Sequence, residues 1–175
     1  MHNYLCSTDK LSKIITWIVV AILILPSVIG YSAFLRSGKD PVALIGILAG
    51  PVILFILTIA MYLLMPVSAE ITGTGITIHR KISPPTFSFA DIKSIRMPEP
   101  DEMKGVLRTF GNGGLFGYTG KYWNKKMGSM SWYCTQRRNY IIIDMQNNKR
   151  IVITPDDPEG FMKDIRQFIP DNDAR

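Results

Sequence analysis

Between Glu102 and Asp144 no acidic residue occurs in 41 positions, while Lys104, Arg108, Lys121, Lys125, Lys126, Arg137 and Arg138 supply seven cations. Rings are interleaved with them, among them Phe110, Phe116, Tyr118, Tyr122, Trp123, Trp132 and Tyr133. Such a stretch is equipped for association rather than bond-making. Near an anionic leaflet each Lys or Arg is worth about 1 kcal/mol, and aromatic rings favour the lipid–water boundary. Lys104, Arg108, Lys121, Lys125, Lys126, Arg137, Arg138 and Trp123 are therefore the candidate contacts for an anionic lipid or an acidic protein partner. The plain alternative is that the rings pack their own loop and the charges are simply solvated.

The residues that could do catalysis do not form a constellation. His2 and His79 are the only histidines; one lies in the N-terminal tail, and the other, beside Arg80, is expected on a strand surface. Cys6 and Cys134 are too few for a disulfide framework or a metal site, and Cys134 reads as core because no histidine is tied to it by a motif. Asp156 and Asp157 lie between two prolines at a helix start, where carboxylates serve as caps. The glycine-rich run Gly111–Tyr118 is not followed by Gly-Lys-Ser/Thr and lacks the GxGxxG spacing, which excludes the usual phosphate loops. The prediction is a non-enzymatic protein with no cofactor and no metal. Nucleic acid is a poor partner, because Glu70–Arg175 carries 16 Lys/Arg against 12 Asp/Glu, an excess of only +4, and is tethered.

That tether comes from two apolar runs. Between Lys13 and Arg36 lie 22 uncharged residues, and between Asp40 and Glu70 lie 29. A hydrocarbon core of about 30 Å needs roughly 20 residues at ~1.5 Å of rise. The expected spans are 14–35 and 42–67, an antiparallel hairpin across the turn-forming Arg36-Ser37-Gly38-Lys39-Asp40-Pro41. The first run exceeds a signal-peptide core and lacks a good cleavage site. Neither span contains Asp, Glu, Lys, Arg or His, so an anchor is expected rather than a transport pathway. Pro26 and Pro51 fall at matching depth, where two kinks can nest. Gly46 and Gly50 form a GxxxG that fits either packing within the hairpin or self-association. Lys10, Lys13, Arg80 and Lys81 against Arg36 and Lys39 put both termini on the cytoplasmic side of the membrane.

After Pro66 the pattern alternates. Ile71, Ile76 and Ile78 around Gly73-Thr74-Gly75 predict two strands, Phe87 with Phe89 a third, and Ile92, Ile95 and Met97 a fourth. Trp132–Thr135, Tyr140–Met145 and Arg150–Thr154 predict three more. Asp157, Pro158 and the stripe Phe161, Ile165, Phe168 predict one helix ended by Pro170. The stretch 103–130 reads as a long shaped loop, ordered because it is rich in rings.

Phe89-Ala90-Asp91-Ile92, Gly113-Gly114-Leu115-Phe116-Gly117-Tyr118-Thr119-Gly120-Lys121-Tyr122, Thr135-Gln136-Arg137-Arg138-Asn139 and Ile153-Thr154-Pro155-Asp156-Asp157-Pro158-Glu159-Gly160-Phe161 resemble bacterial PH-like domain proteins, small membrane proteins with a pleckstrin-homology-type domain. The resemblance covers about Glu70–Phe168 and implies two orthogonal β-sheets with a capping helix. The lysines and arginines that hold inositol phosphates in eukaryotic PH domains have no counterpart here, since the first hairpin turn is the uncharged Gly73-Thr74-Gly75.

The expected architecture is α+β. It consists of a tail at 1–13, a two-helix transmembrane hairpin at 14–67, and a PH-like seven-stranded β-barrel or sandwich at 68–169 capped by a C-terminal helix, followed by a tail at 170–175. The expected function is a membrane-anchored binding or scaffold module that uses the basic aromatic region. The alternative is a subunit of a membrane protein assembly, pairing with itself or a partner through the hairpin and a sheet edge.

Overall fold

The computed structural model describes residues 2–36 and 41–168. Strand β1 (His2–Leu5) precedes two long helices, α1 (Lys10–Arg36) and α2 (Pro41–Leu63). A β-rich region follows: β2 (Pro66–Ile71), β3 (Gly75–Arg80), β4 (Thr86–Ser88), a single 3-10 turn (Phe89–Asp91), β5 (Ile92–Arg96), β6 (Leu107–Gly113), β7 (Tyr118–Asn124), β8 (Gly128–Cys134), β9 (Ile141–Met145) and β10 (Arg150–Ile153). Helix α3 (Pro158–Ile165) comes last. Residues 37–40 of the expected interhelical turn, and the expected stop at Pro170 with the tail after it, lie outside the described residues.

The seven expected strands correspond to β2–β5 and β8–β10, and three more accompany them. They form two sheets, β1-β2-β3-β4 and β5-β9-β10-β8-β7-β6. Among the described residues no strand pairs across from one sheet to the other, so of the expected barrel or sandwich the closed barrel is not formed; the fold is an open two-sheet arrangement. The sheets share one core, in which Ala69, Ile71, Ile76 and Ile78 of the first meet Ile95, Ile141, Ile143, Ile151 and Ile153 of the second. The other face of the larger sheet carries its own cluster, Tyr118, Tyr122, Met127, Met130, Trp132, Cys134, Ile142 and Val152. Burial on both faces explains the unbroken Ile141-Ile142-Ile143, each fully covered.

Helix α3 closes the shared core. Asp157 caps it by accepting from the Gly160 N–H at 2.9 Å, and Phe161, Met162 and Ile165 are buried. The expected third stripe residue, Phe168, falls beyond the helix and stacks on Phe89 at 5.2 Å instead.

The segment read as an N-terminal tail is a strand. His2–Leu5 pairs antiparallel with Ser68–Ile71, and Tyr4 meets Phe161 edge-on while its hydroxyl donates to Asp164 at 2.5 Å. The chain before α1 and the chain after α2 are thus held in one sheet, which brings both helices out of the domain side by side. Four residues give too short a run for an alternation signal, which is why the sequence pattern reads as tail.

Both long helices, over Lys10–Arg36 in the first and Ile45–Leu63 in the second, are long and apolar enough to cross a bilayer, and the apolar stretch of neither is covered by protein. Trp17 is 72% exposed. The helices approach at Gly30, where an added Cβ would come within 2.6 Å of Ile47 Cγ2. Pro51 lies across a groove from Leu23–Val28, the stretch that contains Pro26. Gly46 and Gly50 have nothing within 4 Å of their Cβ positions. Among the described residues the close approach within the hairpin is therefore at Gly30, and none is seen at the GxxxG.

Candidate functional site

The stretch read as a long loop, 103–130, is built largely of β6, β7 and the start of β8, paired as an antiparallel meander. Its glycines suggested a loop, but Gly111 and Gly120 are register partners. Each has positive φ, +105° and +127°, and an added Cβ would strike the backbone carbonyl of Thr119 or Phe110. Here glycine serves close backbone approach within strands rather than a turn.

The β6–β7 tip is tied down at both ends of the helical hairpin's base. Asn112 organises the turn, its Oδ1 accepting from Leu115 N at 2.9 Å and its amide donating to the Leu115 carbonyl. Phe116 N donates to Thr16 Oγ1 at 3.1 Å, the Phe116 ring meets Tyr62 edge-on at 5.3 Å, and Gly114 abuts Ile15. At the next loop, Tyr118 and the Arg137 N–H both donate to Asp9, which also caps α1 by accepting from Ser12 N at 2.7 Å.

The eight candidate contacts do not converge on one face. Lys104, Lys125 and Lys126 gather at the far end of the meander, because Asn124 donates to the carbonyls of Glu102 and Lys104 and accepts from Met127 N. Trp123, 44% exposed, is beside them, and Lys104 is paired with Asp101 at 2.6 Å. The six residue steps from Tyr118 to Asn124 put this end about 20 Å from the tip. Arg108 and Lys121 are midway, on opposite faces: Arg108 is opposite the inward Tyr122 and reaches toward Gly113, whereas Lys121 donates to Ser131 at 2.7 Å. Arg137 and Arg138 stand apart, at the start of α1.

Two concave regions result. A groove of about 300 Å³ runs between the end of α2 and the outer meander face, lined by Met61, Leu64, Arg80, Phe110, Lys121 and Tyr133. Phe110 is 77% exposed there and Leu107, on the same edge strand, 63%. The second, about 570 Å³, lies between Thr8–Lys13 and Arg137–Arg138. Lys10, Lys13 and Arg80 carry no site role in the sequence reading, where they serve only to orient the hairpin. The signal that would have joined Lys10 and Lys13 to Arg137 and Arg138 is the β1–β2 pairing, which no local pattern reveals.

The buried thiols and phenols of the domain are shifted toward their uncharged forms. Burial pushes the Cys6 thiol up to about 12 and Cys134 well above its usual value, which favours the protonated thiol near neutral pH. Burial, with Asp9 second, raises the Tyr118 hydroxyl to about 12; Tyr122, stacked on Trp132 at 4.2 Å, is also raised to about 12, mainly by burial. His79 contacts Glu70 at 2.6 Å on the small sheet. Among the described residues no three His, Cys, Asp or Glu side chains are grouped to hold a metal.

A family model described as Bacterial PH domain matches residues 67–169, more than half of the chain. No match is found among curated proteins or solved structures. The chain belongs to the bacterial PH domain family.

Proposed function

We propose that this bacterial PH domain protein is a non-enzymatic binding module, anchored in the inner membrane by α1 and α2, whose cytoplasmic domain rests on the anionic headgroups of the same leaflet. The observation that carries this reading is the groove at the end of α2. Met61 belongs to the apolar window Ile45–Leu63 and shares that groove with Phe110 and Lys121. Met61 is two residues from the window's end, about 3 Å along the helix axis, so a spanning α2 places the groove at headgroup depth. An exposed phenylalanine beside Lys121 and Arg80 suits that layer: the ring enters the acyl boundary and the two cations meet phosphates at about 1 kcal/mol each.

The test uses the full chain with Phe110→Cys carrying an environment-sensitive fluorophore, reconstituted in neutral and in phosphatidylglycerol-containing nanodiscs. The expected result is a blue shift in the anionic discs that is lost on Lys121→Ala with Arg80→Ala. Equal emission in both discs would refute the reading.

The bare Gly46–Gly50 face favours a second reading, a subunit of a membrane assembly, since small residues let another helix approach. Crosslinking at native expression discriminates: a purely monomeric species with no partner recovered counts against it.

A further inference from the structure

We propose that the cleft between the start of α1 and the β8–β9 loop is a seat for the phosphate of an anionic lipid headgroup, an inference that rests on the membrane anchoring proposed above. Lys10 and Lys13 come from one wall and Arg137 and Arg138 from the other. The only acid in the lining is Asp9, and it is turned inward: its oxygens accept from Ser12 N, Arg137 N and the Tyr118 hydroxyl. Arg96, Lys104 and Arg150 elsewhere in the domain each have a carboxylate partner, as in Arg96–Glu102 at 2.6 Å and Arg150–Asp144 at 2.5 Å. Among the described residues no carboxylate lies within ion-pair distance of the four cleft cations.

The two arginines are also held in place. The Arg137 guanidinium lies 4.9 Å over the Tyr118 ring, and Tyr118 is fully buried. Arg138 Nε donates to Gln136 Oε1 at 2.8 Å, and the buried Gln136 is in turn bonded to Asp156 at 3.3 Å. Ordering long side chains in advance lowers the cost of binding, and a guanidinium's forked donors match phosphate oxygens. A general excess of inner-side charge requires no such fixation, nor does it require loop residues remote in sequence from α1 to meet Lys10 and Lys13.

The lipid source follows from place. Lys13 immediately precedes Ile14, the first residue of the apolar run, and the exposed Leu11 lines the same cleft. A headgroup whose acyl chains lie along α1 presents its phosphate at this level, whereas a free anion gains nothing from Leu11.

The experiment titrates the full chain in uncharged detergent with a short-chain phosphatidic acid, the matching phosphatidylcholine, and inorganic phosphate, and reads retention by native mass spectrometry. Phosphatidic acid should be retained preferentially. Arg137→Ala with Arg138→Ala, or Lys10→Ala with Lys13→Ala, should weaken it about thirtyfold, while Lys125→Ala with Lys126→Ala, the same change in net charge, should leave it unaltered. Equal losses in all three double variants would reduce the effect to net charge and overturn the seat. Equal retention of inorganic phosphate would overturn the lipid assignment. Silent cleft variants, with the Phe110 fluorophore still responding to anionic discs, would remove the seat and leave the proposed function standing; no response in either assay would remove both.

Discussion

The Tyr118 hydroxyl donates to both carboxylate oxygens of Asp9, at 3.3 and 3.2 Å, and this contact joins the meander to the first turn of α1. Asp9 accepts there from two further backbone donors, so one side chain caps the helix and fixes the angle at which it leaves the domain. Asp9→Ala should leave the Ser12 and Arg137 N–H groups and the Tyr118 hydroxyl without their acceptor and destabilise the full chain by about 2–3 kcal/mol. Tyr118→Phe should cost about 1 kcal/mol. Thermal unfolding in detergent measures both, and equal effects would place the main role on the tyrosine rather than on the cap.

Tyr118 and Tyr122 carry hydroxyls pushed up to about 12. A phenol whose folded value exceeds its unfolded value of about 10 favours the folded state while protonated. That stability is complete below about pH 10 and is lost as pH rises towards 12. Absorbance titration of phenolate should show these two rings ionising late, together with alkaline unfolding. Early ionisation of both, with no loss of structure, would contradict their burial.

Glu102 behaves in the opposite sense. The Arg96 guanidinium, at 2.6 and 2.8 Å, holds its carboxyl below the usual value. The stability it contributes is present above the unfolded value near 4.5 and is lost as pH falls through the lowered folded value. Glu102→Gln should flatten the acid limb of the stability profile and leave the alkaline limb unchanged. An unchanged acid limb would mean that the pair contributes nothing.

Gly120→Ala places a Cβ against the Phe110 carbonyl at φ +127° and should cost about 1–3 kcal/mol. Gly105→Ala, at φ +66° with open space around it, should cost about 1 kcal/mol. Chemical denaturation of the two variants side by side checks the order, and a reversal would show that β6 and β7 are not in the register described.

Gly30→Leu must displace Ile47 and should loosen the helical hairpin, whereas a Cβ added at Gly46 meets nothing within 4 Å beyond its own stretch of helix. The expected result is a lowered thermal midpoint for the first and none for the second. Loss of crosslinked species by Gly46→Leu alone would favour the assembly reading.

The strands that could be read from the sequence are those with β-branched alternation and a turn on each side, such as Ile76–Ile78 beside Gly73-Thr74-Gly75, together with the capped start of α3 at Asp157-Pro158. What escaped was structure specified at a distance. His2–Leu5 is a strand only because Ser68–Ile71 supplies its partner. Leu107–Asn124 looked like loop because Gly111 and Gly120 lower strand propensity one by one while suiting each other across the ladder. The seven cations were legible as a charge excess but not as a site, because local sequence does not show that Asn124 draws Lys104 toward Lys125 and Lys126, or that Asp9 draws the Arg137 backbone toward Lys10 and Lys13.

The pairing of β1 with β2 also sets an order of events during biogenesis. Residues 2–5 leave the ribosome well before residues 68–71, and two long apolar helices are made in between. Until the second helix is in place, His2–Leu5 has no strand to join and Tyr4 no Asp164 to meet. Completion of the small sheet therefore reports that both helices have been made, and a chain stalled after α1 would expose an unpaired leading segment to proteases and chaperones.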